Sequence, residues 1–274
     1  MNTTVDVLNI LLPLLYGGLL FLYGRSFFKT ASRADRLKTA ALAVTVIIHL
    51  LYLLLRTILF NHPPITTPFE IMTVIAFCIA AAYLFIEGIS KVHGTGLFVL
   101  IPAFFFQIIS TLLISDLGEV PEILRSNLLG FHVTSALLGY AAIAVGAMYG
   151  LLYLMLYHDI KSNHFSVIYK RLPNLEILES MSFRSTLFGF ICLSIAIGVG
   201  LLWLPIAFGE IFYSDPKLIG SLFIWVLYAV GLVSKRVAGW HGRKIAVLHV
   251  SAFIIAIFSI TIVNFFFRSF HQFY

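Results

Sequence analysis

The sequence predicts an all-α integral membrane protein of eight transmembrane helices, with both termini on the outer, periplasmic side. Composition points there first: 60% of the 274 residues are hydrophobic and 11% are charged, at a mean hydropathy of +1.00. A soluble domain carries roughly 25% charged residues. A membrane-crossing helix needs about 20 apolar residues in a row, and the apolar runs here reach that length. They also lack the two-residue alternation of strands, which excludes a membrane β-barrel. In such a chain the net charge of +6 reports orientation and not nucleic-acid binding, so no nucleic-acid partner is expected.

The apolar segments fall at about 7–24, 39–60, 69–87, 97–114, 129–157, 183–206, 217–234 and 245–267. Before the first, Met-Asn-Thr-Thr-Val-Asp has no basic stretch, so no cleaved signal peptide is read there. The connection that follows carries Arg25, Lys29, Arg33, Arg36 and Lys38. The next, Asn61 to Pro68, is proline-rich and cannot be helical, and Glu70 then suits the dipole at the start of the third segment. Lys91 follows the third segment, and Asp116, Glu119 and Glu122 follow the fourth. After the fifth come Lys161, Lys170 and Arg171, and then Leu172, Leu175, Ile177 and Leu178, whose spacing suggests an interfacial helix. The sixth connection, about 207–217, is an aromatic loop with Glu210 and Asp215. Asp215 can cap the helix beyond it, and Pro216 fits that helix's first position. Lys235, Arg236, Arg243 and Lys244 lie between the last two segments. Basic residues thus crowd alternate connections, which the positive-inside rule places in the cytoplasm. In a bacterium this is a multi-pass protein of the inner membrane.

Residues 1–274 read as a single transmembrane domain. Cys78 and Cys192 stand alone in apolar runs, so neither a disulfide framework nor a redox pair is expected. Gly146 and Gly150 have the small-residue spacing of close helix packing. Ionisable groups at membrane depth are costly, which makes each a functional candidate. Thr45, His49, Tyr52 and Arg56 follow one another at spacings of four, three and four, on one helical face. That stripe lines a polar cavity or packs on another helix, and Arg56 at its outer end serves a ligand or snorkels to the headgroups.

Five separated segments carry a resemblance. The aromatic loop has Phe208-Gly209, then Phe212, then Asp215-Pro216-Lys217, with Trp225 and Tyr228 in the helix beyond. Arg56 is followed by His62-Pro63 and by Phe69-Glu70. His132 precedes Tyr140 by eight residues, Gly239-Trp240-His241-Gly242-Arg243 forms a turn, and Asn264 precedes His271. Taken in chain order they resemble the cytochrome c assembly protein family, in its CcsA or ResC type, the haem-handling membrane subunit of cytochrome c synthetase. The loop resembles that family's tryptophan-rich segment, with Phe208 and Phe212 at two tryptophans, Ser214 at the third and Leu218 at a glutamate.

The resemblance implies a chain that presents haem b at the periplasmic face for covalent attachment to an apocytochrome c bearing Cys-x-x-Cys-His. It implies His132 and His271 as axial ligands of the haem iron. Phe208, Phe212, Asp215 and Trp225 would belong to the loop and helix that cover the macrocycle. Arg56 is expected to pair a propionate, since guanidinium suits carboxylates. The resemblance also implies a partner synthetase subunit with a periplasmic domain, besides membrane lipid. If the chain is enzymatic, it is a subunit of a cytochrome c haem lyase. Val233 stands where the family often has a further histidine. With the lost tryptophans, that departure also suits a sister branch, the HemX-like proteins, with a regulatory or scaffolding role. A third reading takes the His49–Arg56 stripe as the site of a small-anion transporter.

Overall fold

The computed structural model describes residues 3–28, 34–92, 94–115, 121–163, 166–208 and 215–266, except for the side chains at 34–36, 168, 207–208 and 260–266. Among them the chain is helical, with no strand. The helices are α1 (Thr3–Phe28), α2 (Ala34–Phe60), α3 (Pro68–Ser90), α4 (Gly96–Leu113), α5 (Asn127–Lys161), α6 (Val167–Arg171), α7 (Leu175–Phe208), α8 (Pro216–Val237) and α9 (Arg243–Phe266). A short 3-10 turn, Glu122–Arg125, leads into α5. Among the described residues, seven helices are long and apolar enough to cross a membrane: α1, α2, α3, α4, α5, α7 and α8. The eighth predicted segment forms α9, a helix of 24 residues.

Helix starts follow local chemistry. The Thr67 hydroxyl accepts from the Glu70 N–H at 3.1 Å, and Pro68 begins α3. Asp215 Oδ1 accepts from the N–H groups of Lys217 and Leu218 at 2.9 and 3.2 Å, and Pro216 begins α8. Both are the expected pairing of an oxygen cap with proline inside the first turn. Ser126 caps α5 in the same way, accepting from Leu129 N at 3.4 Å.

The expected interfacial helix is not found at residues 172–178. Asn174 caps a helix that begins at Leu175, its side chain accepting from Ile177 N at 2.9 Å. Leu172 and Leu178 are buried in the core. What carries α7 inward past its charged first turns is Glu179. Its carboxylate takes the Lys235 ammonium at 2.8 Å and the Gly242 N–H at 2.7 Å.

Helices α1 to α4 pack as one group. α5 lies against α3 of that group and runs along α7, and α9 packs on α5 with α8 beside it. The α5–α7 contact is close because both helices present glycine. A side chain at Gly189 would meet the Gly139 carbonyl oxygen at 2.7 Å, and one at Gly139 would meet Leu193 at 2.8 Å. Gly146 faces Thr186 of α7, and Gly150 faces the Ala246 carbonyl of α9 at 3.1 Å. The small-residue pair expected to serve packing therefore does so toward two helices at once.

Candidate ligand chamber between the central helices

A cavity of about 680 Å³ lies among α3, α4, α5, α7, α8 and α9, within the roughly 300–1,000 Å³ usual for small-molecule and cofactor sites. Its walls are aliphatic and aromatic. The polar exceptions are His132, Tyr140, Trp203, Lys217, Ser221 and Ser259. From His132 the lining on α5 continues through Ala136, Tyr140 and Ala144 to Met148, one residue per turn on one face. The alanines leave the space that the chamber occupies.

The neutral His132 imidazole is held in one tautomer. Its Nδ1 lies 2.8 Å from the Ala196 carbonyl oxygen on α7. A carbonyl only accepts, so Nδ1 carries the proton and Nε2 keeps its lone pair. No described residue bonds Nε2. The ring can lie this close to α7 because residue 200 is glycine: a Cβ there would sit 2.7 Å from Cε1 and 2.8 Å from Nδ1. A histidine whose second nitrogen is anchored to a backbone carbonyl is the usual arrangement of a metal-binding imidazole.

The other expected site residues divide. Asp215 caps α8 and is buried, so it fixes the backbone at Lys217, whose side chain lines the chamber. Trp225 does not line it. Its indole N–H donates to Ser194 Oγ at 2.8 Å, and its ring stacks on Phe190 at 5.1 Å, joining α8 to α7. Phe212 and His271 lie outside the described residues, as does the side chain of Phe208, the last residue of α7.

Arg56 is not at the chamber either. It is 4% exposed, and its Nε and Nη2 donate to Glu70 Oε1 at 3.0 and 2.9 Å. Glu70 Oε2 accepts from the Thr66 N–H at 2.8 Å and the Thr66 hydroxyl at 2.6 Å. This ion pair ties the end of α2 to the proline-rich loop and the start of α3. The loop in turn supports the chamber: Ile65 packs in one cluster with Leu129, Trp203 and Leu204, and Gly130 admits Pro63 against α5. His62, also buried in this loop, donates from Nδ1 to the Pro63 carbonyl at 2.8 Å.

The stripe on α2 faces other helices. The Thr73 hydroxyl donates to Gln107 Oε1 at 2.8 Å, so it accepts from His49 Nε2 at 2.9 Å. His49 Nδ1 is then the acceptor for the Tyr16 hydroxyl at 3.0 Å. Gln107 continues to Thr111 at 3.1 Å, and Thr111 to the Asn9 carbonyl at 3.0 Å. This satisfied chain across α1 to α4 accounts for His49 as a helix-joining residue. It removes the support that the stripe gave to a small-anion site.

Sequence reasoning gave no separate role to Gly200, Trp203 or Lys217. A signal existed for Lys217: a cation in the first turn of a helix opposes the helix dipole and calls for another reason to be there. Gly200 and Trp203 had none, because their roles depend on α7 lying against His132.

These features define a multi-pass helical membrane protein with an apolar, histidine-bearing ligand chamber. It belongs to the cytochrome c assembly protein family, whose sequence profile matches residues 7–271. Among similar proteins is Protein HemX of Brevibacillus brevis, 24% identical over 225 residues, covering 81% of this chain and 82% of that protein. The cytochrome c biogenesis protein CcsA of Prochlorococcus marinus (strain MIT 9301) is 28% identical over 266 residues, covering 88% and 85%. CcsA of Guillardia theta is 26% identical over 229 residues, covering 77% and 76%.

Proposed function

We propose that this chain binds haem b in the outer end of its chamber and presents it for covalent attachment to an apocytochrome c. One observation carries the reading: an imidazole in an apolar chamber, with Nδ1–H anchored to Ala196 and the Nε2 lone pair left for a metal. The chamber's volume and its aliphatic walls fit a flat, apolar macrocycle. Haem supplies the vinyl groups that form thioethers with the Cys-x-x-Cys-His segment. The chain's part is to hold, orient and shield it. His132 serves as one axial ligand and His271 as the other, with Phe208 and Phe212 over the macrocycle. A partner subunit with a periplasmic domain receives the apocytochrome.

The protein resides in a bacterial inner membrane, crosses it eight times with α9 as the last crossing, and has both termini in the periplasm. The basic connections support this orientation. A reporter fused after Tyr274 is therefore expected to behave as exported, and a cytoplasmic signal would overturn the outward-facing site.

The direct test is purification in detergent after expression with a haem supply. The expected product is coloured, with the low-spin spectrum of two nitrogen ligands. A colourless protein that takes up no added haem b would refute the reading. A second reading, a HemX-like scaffold without turnover, is favoured by Val233, which points out of the bundle at 56% exposure where the family often has a histidine. Haem bound without support of cytochrome c maturation in cells lacking their own synthetase subunit would select it.

A further inference from the structure

Lys217 is the one lysine or arginine among the described residues that line the chamber. Its backbone is fixed by the Asp215 cap, which places it in the first turn of α8. There the positive end of the helix dipole disfavours a cation. No described residue accepts a hydrogen bond from its ammonium group. The side chain instead joins the wall that also holds His132, Gly200 and Ser221. The Asp215 carboxylate, two residues earlier, attracts it but is spent on the helix cap, so a cation against apolar walls still gains from an anion that comes with the ligand, where the attraction is stronger than in water. The ligand that suits such a chamber is flat and apolar over most of its surface and bears a carboxylate at one edge.

We infer that Lys217 binds a propionate carboxylate of the haem, and so sets which edge of the macrocycle enters beside α8. This rests on the haem reading above. It moves the carboxylate contact from Arg56, which is engaged with Glu70 outside the chamber, to a residue within it. Lysine acts here as a point charge and accepts one carboxylate without the fixed fork of arginine. Ser221, one turn further along α8 on the same wall, donates its hydroxyl to the Leu218 carbonyl at 2.9 Å, so the charge at that edge falls to Lys217.

The test compares haem b with its dimethyl ester, in which both carboxylates are masked, by titration into the detergent-purified protein. Wild type is expected to bind haem about tenfold or more tightly than the ester, the factor of a hydrogen bond to a charged group. Lys217→Gln should lose that preference by weakening haem while leaving the ester near wild type. Lys217→Arg should keep it. Ester binding thus reports whether each variant is folded. Equal wild-type affinity for haem and ester overturns the assignment of Lys217 but leaves haem binding standing, and so does a full preference retained in Lys217→Gln. Failure of wild type to bind either porphyrin overturns the haem reading and this inference with it.

Discussion

His132→Ala is expected to lose bound haem, or to retain a remnant whose spectrum turns from low-spin to high-spin. The imidazole is the metal-binding group within the chamber whose proton position is fixed: Ala196 takes the Nδ1–H at 2.8 Å and leaves Nε2 as a donor of its lone pair. Removing the ring also opens a space of its own size against Gly200. Imidazole added to the variant is therefore expected to fill that space and restore the low-spin spectrum. Gly200→Ala keeps every atom of the histidine but places a methyl group 2.7 Å from its ring, so the imidazole must swing away from Ala196. Loss of such an anchoring contact lowers metal affinity by roughly 10–100-fold. Added imidazole should not repair Gly200→Ala, because no space has been made. His158→Ala, at the other end of α5, is the control and should leave the haem spectrum unchanged. A wild-type spectrum in both His132→Ala and Gly200→Ala would remove His132 from the site.

The helices were legible because their causes are local. Apolar runs of membrane length gave the segments, and the pair Asp215-Pro216 marked where α8 begins. His132 was legible as a candidate because its eight-residue spacing to Tyr140 resembles the family's, and both line the chamber. What stayed hidden depends on partners remote in the chain. The start of α7 was misread as an interfacial helix because Glu176 and Glu179 interrupt the apolar run. The Glu179 carboxylate is compensated by Lys235 and by the backbone of Gly242, neither of which is visible from the local sequence. His49 looked like an ionisable residue in need of a ligand, yet its partners are Tyr16 and Thr73 on two other helices. The chamber itself is a product of packing. Alanines on α5 read as ordinary membrane-helix residues until α3, α4 and α7 are in place around them.

Arg56 gives the second large expected effect, and here the structure reverses the prediction the sequence suggests. An arginine holding a propionate could be lost with little harm to the empty protein, and only haem affinity would fall. The arginine of this structure instead lies 2.9 Å from Glu70, and the two side chains are 4% and 1% exposed. Breaking a buried pair by removing one partner typically costs about 3–5 kcal/mol, because the remaining charge stays buried without its counter-ion. Arg56→Leu is therefore expected to destabilise the haem-free protein by about that amount, seen as a lowered midpoint of thermal unfolding in detergent. Arg56→Lys keeps a charge within reach of Glu70 but loses the two-pronged contact through Nε and Nη2, and should fall between wild type and Arg56→Leu. The double variant Arg56→Leu, Glu70→Leu removes both charges, and such replacements are often neutral or stabilising. It should recover much of the stability lost in Arg56→Leu, though Thr66 also loses the acceptor of its N–H and hydroxyl. Any loss of haem in these variants should follow from the loop that packs Ile65 against Trp203, and so should track the loss of stability. A haem-free Arg56→Leu protein that melts like wild type, with haem affinity alone reduced, would return Arg56 to the ligand and undo this account of the pair.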